Sequence, residues 1–600
     1  MKRWLKYAKP YAPFFILGPL CMIIEVVGEV LMPRFLGNMI DYLTSVTTQK
    51  EVDVAPWVQS LANMFGSNTP VVLTIMAAMV ITAALMMLGG VGGAYFGAKA
   101  SVNYASDLRA DMFRQVQRFS FSNVDHFSTG SLVTRMTNDV TQIQNFINMM
   151  LRMALRSPGM FIGALIMSVS MNPKLSIVFA VTLPSLILVM GILIRIGFPR
   201  FSAMQKKIDA LNSDVQENIT NVRVVKSFVR EDHEREKFGA ANNALRKAGF
   251  SAMKVMIFMS PVISFFTYAT TLSIYWFGAK QVVESTLTAG ELATFVTYAT
   301  QILMSLMMMS MLFVMLSRAL ASGKRIAEVL DEKIDISDEN PDSTLTVSRG
   351  EIEFKDVTFR YHKGSEDAVL SSVDLKIPAG TTVGIIGSTG CGKTTLVSMI
   401  PRLYDVDGGE VLIDGENVKN YSLYNLRESV GMVLQKNVLF SGTIAENLRW
   451  GDENADDQEV KRAAETAQAD KFVSSFPDGY ETMLDQGGTN VSGGQKQRLC
   501  IARALLKKPK ILILDDSTSA VDTATEKMIR ASFKNELADS TKIIIAQRIS
   551  SVRDADEIIV MNDGKIVGRG THDDLMQTSE EYREIYYSQN ERSDENGKNA

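Results

Sequence analysis

The chain has 600 residues, of which 46% are hydrophobic and 21% are charged, and its formal net charge is −4. This length exceeds what one hydrophobic core normally organises, so two or more domains are expected. The apolar content is too high for an ordinary soluble chain, and the slightly negative charge gives no general affinity for nucleic acid. The cysteines, Cys21, Cys391 and Cys500, lack paired spacing and indicate neither disulfides nor a zinc site.

Six long apolar stretches occupy the first half of the chain. A membrane-crossing helix needs ~20 predominantly apolar residues, and only helices satisfy their own backbone at that length in lipid. The sequence therefore predicts an α-helical membrane domain at residues 1–325, with six spans at about 13–32, 71–98, 149–171, 175–194, 255–277 and 292–316.

Lysine and arginine cluster before the first span and in two long connections, at residues 99–148 and 195–251. Cytosolic loops carry this excess of positive charge, so both connections and both termini are predicted to be cytosolic. The near-helical spacing of apolar residues in "RADMFRQVQRF" and "ENITNVRVVKSFVRE" predicts that membrane helices continue into the cytosol as hairpins.

Two glutamates of the first span, Glu25 and Glu29, lie one helical turn apart and therefore on one face. Charged side chains at membrane depth are costly and usually face a bundle interior or an aqueous cavity. One interpretation is a possible substrate cavity that attracts cationic amphipathic molecules. The other is pairing with Arg152 or Arg156 of the third span. The methionine-rich sixth span is likewise typical of an adaptable pocket or of simple packing.

The second half of the chain has a different composition. Residues 326–350, which include "EKIDISDENPDSTLTVSRG", are polar and acidic and are predicted to be a linker. Short β-branched runs then alternate with helical patterns over residues 351–588, which predicts an α/β nucleotide-binding domain. The polar residues 589–600 are predicted to be a disordered tail.

A glycine-rich loop, "GSTGCGKT" at Gly387–Thr394, follows the strand "TTVGII" and precedes a helix. It is a full match to the phosphate-loop pattern, in which backbone N–H groups wrap phosphates. Lys393 would reach the β- and γ-phosphate oxygens, and the Thr394 hydroxyl would ligate Mg²⁺. The strand in "KILILDD" ends at Asp515, which would be held near the same ion. These motifs predict binding of ATP with Mg²⁺.

Between these motifs stands "NVSGGQKQRLCIARAL", in which Ser492, Gly493, Gly494 and Gln495 open an amphipathic helix. Taken alone, this turn is an ordinary helix N-cap. Together with the phosphate loop and Asp515, it makes the chain resemble the ATP-binding-cassette (ABC) family. Six spans followed by one cassette resemble an exporter-type half-transporter: an α-helical six-span domain with long cytosolic helical extensions, then an α/β P-loop cassette.

The resemblance implies a dimer in which each ATP lies between one subunit's phosphate loop and the other's Ser-Gly-Gly turn. It also implies that Tyr361 stacks on adenine, that Gln435 contacts the Mg²⁺ and the membrane-domain tips, and that hairpin tips near 122–127 and 216–221 dock on cassettes. The implied metal ligands are Thr394, Gln435 and Asp515. The implied nucleotide-binding residues are Tyr361, Gly387, Ser388, Thr389, Gly390, Cys391, Gly392, Lys393, Thr394, Thr395, Gln435, Ser492, Gly493, Gly494 and Gln495.

The implied catalytic positions are Asp516, Gln547, Gln435 and Asp522, and two of them depart from the family pattern. Family members that hydrolyse ATP well carry Glu and His where this chain has Asp516 and Gln547. Positioned general-base help is typically worth ~10²–10⁴ in rate, so this pair predicts slow hydrolysis; the alternative is a conservative variation without consequence. Since the turn Ser492–Gln495 is intact, the chain resembles the degenerate-site subunit of bacterial heterodimeric multidrug exporters.

The predicted function is therefore export of hydrophobic or amphipathic compounds by a heterodimer in the bacterial plasma (inner) membrane. The partners would be a second ABC half-transporter chain, the lipid bilayer and a small substrate. Alternatives are a lipid or peptide exporter, a metal-chelate importer with an exporter fold, and a membrane sensor that uses ATP occupancy without transport.

Overall fold

The computed structural model describes residues 2–48, 71–338, 342–361, 367–516 and 521–597. The chain forms two compact units. The first comprises Met1–Val116 and Gly130–Asp331, and the second comprises Gln117–Thr129 and Glu332–Ala600. The tip of the first predicted hairpin, at Gln117–Thr129, thus belongs to the same unit as the cassette.

Up to Asp331, the described part of the chain forms helices joined by short turns. A 3₁₀ turn at Lys9–Tyr11 and a π-helical turn at Arg135–Asp139 interrupt the α-helices. The α-helices are α1 (Lys2–Ala8), α2 (Ala12–Thr48), α3 (Val71–Gln117), α4 (Phe121–His126), α5 (Thr129–Thr134), α6 (Val140–Met153), α7 (Arg156–Met171), α8 (Pro173–Thr220), α9 (Val222–Ser227), α10 (Glu231–Val283) and α11 (Ala289–Asp331).

Within the described residues, six helical segments are long and apolar enough to cross a membrane. Each overlaps one predicted span, and α3, α8 and α10 continue well beyond the apolar part, as the hairpin prediction requires. The third predicted span is divided between α6 and α7. The ring of Pro158 removes the N–H that would bond the Ala154 carbonyl, which accounts for a turn at this point. Helix α11 continues to Asp331 and therefore includes the first six residues of the predicted linker, 326–331.

Helices α2 and α11 are joined by side-chain hydrogen bonds to α2 carbonyls. Pro33 inside α2 has no N–H, so the Glu29 carbonyl four residues earlier loses its helical donor. Gln301 Nε2 donates to that carbonyl oxygen at 2.9 Å. Tyr298 donates its hydroxyl to the Val30 carbonyl at 2.7 Å, and Thr294 donates to the Pro33 carbonyl at 3.0 Å. The Gln301 amide thus satisfies the Glu29 carbonyl, which lipid could not satisfy, and the other two donors add contacts between the helices.

The described strands of the cassette are β1 (Ile352–Phe359), β2 (Leu370–Ile377), β3 (Thr382–Gly387), β4 (Gly408–Ile413), β5 (Glu416–Asn417), β6 (Val430–Val433), β7 (Gly442–Thr443), β8 (Met483–Leu484), β9 (Ile511–Asp515), β10 (Thr541–Ile545), β11 (Glu557–Asn562) and β12 (Lys565–Gly570). They form a six-stranded sheet in the order β12-β11-β3-β10-β9-β6, a four-stranded antiparallel sheet in the order β2-β1-β4-β5, and the pair β7-β8. In the larger sheet only β12 runs antiparallel to its neighbour.

Helices of the cassette pack on both faces of the larger sheet. They are α12 (Lys393–Ser398), α13 (Leu423–Glu428), α14 (Ile444–Arg449), α15 (Asp457–Thr466), α16 (Asp470–Val473), α17 (Gly493–Leu506), α18 (Thr523–Glu536), α19 (His572–Thr578) and α20 (Glu580–Gly597). Short 3₁₀ turns lie at Gly479–Glu481 and Ile549–Ser551.

Strand β9 shows how the sheet divides the core. Successive strand residues point to opposite faces, so Leu512 and Leu514 enter one hydrophobic cluster, and Ile511 and Ile513 enter the other. All five β9 residues are buried, as expected for a parallel strand covered on both faces. Because β3, β9 and β10 are parallel neighbours, the loops after Gly387, Asp515 and Ile545 meet at one edge, where α/β sheets bind ligands.

The predicted disordered tail at 589–600 differs from the structure, in which α20 extends to Gly597. Residues 598–600 lie outside the described part of the chain. The polar composition favours disorder, but extending an existing helix adds one hydrogen bond per residue without a new nucleation step. The first turns of α20 are packed on the cassette, so the helix is already nucleated when it reaches residue 589.

Candidate nucleotide-binding site

The phosphate loop connects β3 to α12 and depends on glycine for its shape. A Cβ at Gly387 would lie 2.2 Å from the Met561 carbonyl oxygen, and Gly392 has φ +95°, which disfavours other residues. Ser388, Thr389 and Gly390 are exposed at the tip, whereas Cys391 and Gly392 are buried beneath it. The geometry leaves an open, glycine-lined edge for phosphate groups.

Lys393 begins α12 and folds back over this loop. Its Nζ donates to the Gly387 carbonyl at 2.8 Å and to the Ser388 carbonyl at 2.7 Å. The ammonium group is therefore already held over the loop, where it can meet phosphate oxygens.

A magnesium corner lies where α12 meets the end of β9. Thr394 donates its hydroxyl to Asp515 Oδ1 at 3.0 Å. Asp515 is buried, and among the described residues its Oδ2 has no hydrogen-bond partner. Burial raises the pKa of Asp515, with Asp516 acting in the same direction, and the hydrogen bond from Thr394 opposes this. A buried carboxylate with a spare oxygen beside a hydroxyl fits Mg²⁺, which would offset that cost and neutralise phosphate charge.

Asp516 and Gln547, the two departures from the family pattern, contact each other directly. Gln547 Nε2 donates to Asp516 Oδ2 at 2.7 Å, and the Gln435 side chain also hydrogen-bonds to Asp516. Burial raises the pKa of Asp516, and these two hydrogen bonds oppose the shift. Asp516 also has φ +46°, a strained conformation for a non-glycine residue. The structure therefore brings together Asp515, Asp516, Gln435 and Gln547.

The Ser-Gly-Gly turn is intact, and its Ser492 and Gly493 are exposed. Ser492 and Gln495 form a capping box, in which the Gln495 N–H donates to Ser492 Oγ at 3.3 Å and the Ser492 N–H donates to Gln495 Oε1 at 2.9 Å. The N–H groups of Gly493 and Gly494 lie in the first turn of α17, where Gly493 is exposed and Gly494 is half-buried. Both interpretations of this turn are thus compatible with its geometry: it caps a helix and presents donors outward.

Asp522 caps α18, since the Thr525 N–H donates to Asp522 Oδ1 at 2.9 Å. That backbone hydrogen bond lowers the pKa of Asp522. The hydrogen bonds described for Asp522 are made to the first turn of α18. Residues 517–520 lie outside the described part of the chain.

Tyr361 lies at the aromatic edge of the site. Its ring is half exposed and packs edge-on against Phe359 and Tyr404, with centroids 5.0 and 5.3 Å away. Its hydroxyl is 2.9 Å from the Thr395 Oγ1, at the helix that follows the phosphate loop. An exposed ring in this position is available to stack on a flat base.

Tyr404, which the sequence analysis missed, connects this edge to the first hairpin tip. It donates its hydroxyl to Asp125 Oδ2 at 2.7 Å, and its ring lies 6.0 Å from that of Phe121 in α4. Asn123 Nδ2 of the same tip donates to the Lys333 carbonyl at 2.9 Å. The predicted docking of tip 122–127 on a cassette is confirmed for this chain's own cassette. No local motif marks Tyr404, because its partner is 279 residues away.

The membrane glutamates are paired in the structure. Arg156 Nη2 contacts Glu29 Oε1 and lies 3.2 Å from Glu25 Oε1, while Arg152 is exposed. The structure thus favours the pairing interpretation and selects Arg156. Two carboxyl groups therefore share one guanidinium.

Two family models match the chain. Residues 15–306 match the ABC transporter transmembrane region, and residues 370–519 match the ABC transporter domain. An uncharacterized ABC transporter ATP-binding protein of Bacillus subtilis, YfiB, is 36% identical over 590 residues, which cover 98% of each chain. An uncharacterized ABC transporter ATP-binding protein of Mycobacterium bovis is 38% identical over 526 residues, covering 87% of this chain and 90% of that one.

A third relative, a fatty acid ABC transporter ATP-binding/permease protein of Mycobacterium bovis, is 35% identical over 480 residues, 80% of this chain and 75% of that protein. The first relatives match over almost their whole length, through both the membrane helices and the cassette. The chain therefore belongs to the ABC transporter family, as an exporter-type half-transporter that uses ATP with Mg²⁺.

Proposed function

We propose that this chain is the degenerate-site subunit of a heterodimeric exporter. It holds ATP at a slowly hydrolysing site, and its Ser-Gly-Gly turn completes the rapidly hydrolysing ATP site of a second half-transporter. The observation that carries the proposal is the pair Asp516–Gln547, bonded at 2.7 Å beside an intact turn at Ser492–Gln495. The phosphate loop and magnesium corner are intact as well, so binding and rapid hydrolysis are separable here.

Chemistry supports slow hydrolysis at this site. The Asp516 carboxylate accepts hydrogen bonds from two amides, and its side chain is one C–C bond, ~1.5 Å, shorter than that of glutamate. A general base must lie within hydrogen-bond reach of the water that it activates. Gln547 is neutral and does not supply the positive charge that a protonated histidine would.

Substrates of this exporter are proposed to be small hydrophobic or amphipathic molecules of the multidrug type. The surplus carboxylate of the Glu25–Glu29–Arg156 cluster would favour cationic members of that class. The second candidate is a lipid or fatty acid exporter, favoured by the printed name of the third relative. Uptake of a cationic dye and of a labelled fatty acid by inside-out vesicles separates the two candidates.

The asymmetry can be tested with two substitutions in this chain alone. In the assembly purified with its partner, Ser492→Arg should abolish most ATPase activity, because it removes the partner site's second half. Asp516→Asn should leave most of that activity in place, because this chain's own site contributes little turnover. If both substitutions abolish activity equally, the sites are equivalent and the proposal is wrong.

A further inference from the structure

The loop that follows β10 carries Gln547, and one side chain of the C-terminal helix α20 forms hydrogen bonds with its backbone. Gln589 of α20 donates its Nε2 to the Gln547 carbonyl at 2.8 Å, and the Ile549 N–H donates to Gln589 Oε1 at 3.0 Å. A single primary amide therefore pairs with two backbone groups, at positions 547 and 549. A neighbouring β-strand would pair with a backbone in the same way.

The opposite side of this loop is held by α18. Arg530 Nη1 donates to the Ser550 carbonyl at 3.1 Å and to the Ser551 carbonyl at 2.9 Å. With both ends of the loop fixed, the Gln547 side chain reaches Asp516 at 2.7 Å. The orientation of Gln547 thus depends on backbone contacts that come from outside the nucleotide site.

The sequence of α20 explains why a glutamine stands here. Tyr582 is fully buried and its hydroxyl lies 2.8 Å from His572 Nδ1, while Ile585 and Tyr586 pack against the adjoining hydrophobic cluster. Gln589 falls on the same face, seven residues after Tyr582. This face is apolar up to that point, and it becomes polar where it meets the backbone of the 547–549 loop.

We propose that Gln589 is a positioning residue of the ATPase site: its amide clamps the backbone at 547 and 549 and so sets the side chain of residue 547 against Asp516. This inference goes beyond the proposed function, and only its kinetic test rests on hydrolysis at this site. It makes the C-terminal helix part of the machinery that governs turnover.

Two substitutions separate the two halves of the clamp in the full-length protein. Gln589→Met keeps the length of the side chain but removes both the donor and the acceptor. Gln589→Glu keeps an acceptor for the Ile549 N–H but places an oxygen against the Gln547 carbonyl. Gln577→Met, at an exposed glutamine of α19, is the matched control.

Hydrogen–deuterium exchange at the Ile549 amide tests the contact itself. We expect exchange to accelerate by about fivefold or more in Gln589→Met, the factor expected when one net hydrogen bond is lost, and to stay slow in Gln589→Glu and Gln577→Met. Unchanged exchange at Ile549 in Gln589→Met would overturn the proposal, whatever the activity.

Kinetics test the positioning role in the Asp516→Glu/Gln547→His background, where hydrolysis at this site should be measurable. Both Gln589 variants should lower kcat several-fold with the KM for ATP unchanged, because the adenine and phosphate contacts are untouched and only the residue 547 backbone is released. A rise in KM without a fall in kcat, or no change in either, contradicts the positioning role. If the background itself fails to gain activity, the proposed function is wrong, and the exchange measurement still decides the clamp.

Discussion

Restoring the family's residues at the degenerate site should convert it from an ATP-holding site into an ATP-cleaving one. The perturbation is Asp516→Glu together with Gln547→His. The glutamate carries its carboxylate ~1.5 Å further from β9, and histidine replaces the amide that now donates to Asp516 at 2.7 Å. The phosphate loop, Thr394 and Asp515 are left as they are, so ATP binding should not change.

The expected gain follows from the missing general-base help. Such help is typically worth ~10²–10⁴ in rate, and the surrounding loop is already held by Gln589 and Arg530, so we expect a gain of at least ~10². The KM for ATP should stay within about twofold, because no group that contacts the base or the phosphates is altered.

The assay follows bound nucleotide through a single turnover. The assembly is mixed with radiolabelled ATP and Mg²⁺ and chased with unlabelled ATP, and the labelled ATP that remains intact is measured over time. The unmodified assembly should retain about one intact ATP per two chains, while the double variant should lose it rapidly. Asp539→Glu with Gln577→His, at exposed positions, is the control. Equal decay in the variant and the unmodified assembly refutes the reasoning.

Three further predictions concern the hairpin tip, the membrane cluster and the cassette core. Tyr404→Phe removes the hydroxyl that donates a 2.7 Å hydrogen bond to Asp125, so the ATPase rate should persist while the amount of substrate transported per ATP falls. Tyr424→Phe, at an exposed tyrosine, is the control and should change neither quantity. Full transport by the Tyr404→Phe variant would contradict a coupling role for this contact. Arg156→Met leaves Glu25 and Glu29 without the cation that they share, and thermal unfolding should show the membrane unit destabilised by ~3–5 kcal/mol. Adding Glu29→Gln should recover part of that stability. The control, Arg152→Met, should have little effect on thermal unfolding. Asp414→Asn should destabilise the cassette by ~1.5–3 kcal/mol at pH 7, because its carboxylate accepts from the N–H groups of residues 348–351. Burial opposes ionisation of Asp414, but those hydrogen bonds hold its pKa below the usual value. The difference in unfolding free energy between the unmodified protein and the Asp414→Asn variant should therefore be present at neutral pH and vanish as the pH falls below about 4. A difference that grows on acidification would contradict this prediction.

The parts of the fold that could be predicted are those whose signal is local. Each span is a continuous apolar stretch, and the phosphate loop, the Asp515 strand and the Ser492 turn are short patterns with fixed spacing. Their meeting at one sheet edge follows from parallel strand order. The corner formed by Thr394 and Asp515 was therefore predictable from the sequence.

Contacts between distant residues were not predictable from one sequence. Tyr404 and Asp125 are 279 residues apart, and Gln589 and Gln547 are 42 apart, with no motif marking either pair. The choice of Arg156 over Arg152 depends on helix rotation, which hydropathy does not fix. The tail was predicted to be disordered from its composition, and α20 continues as far as Gly597 because packed residues upstream had already nucleated the helix.

The central claim is that this subunit contributes the slowly hydrolysing ATP site of a heterodimer whose two sites differ in rate. The steady-state ATPase rate of the purified chain, measured alone and with its partner, tests this claim most directly. We expect the chain alone to hydrolyse ATP at least ~10²-fold more slowly than the assembly, while binding ATP with similar affinity. A chain that by itself hydrolyses ATP as fast as the assembly would contradict the claim.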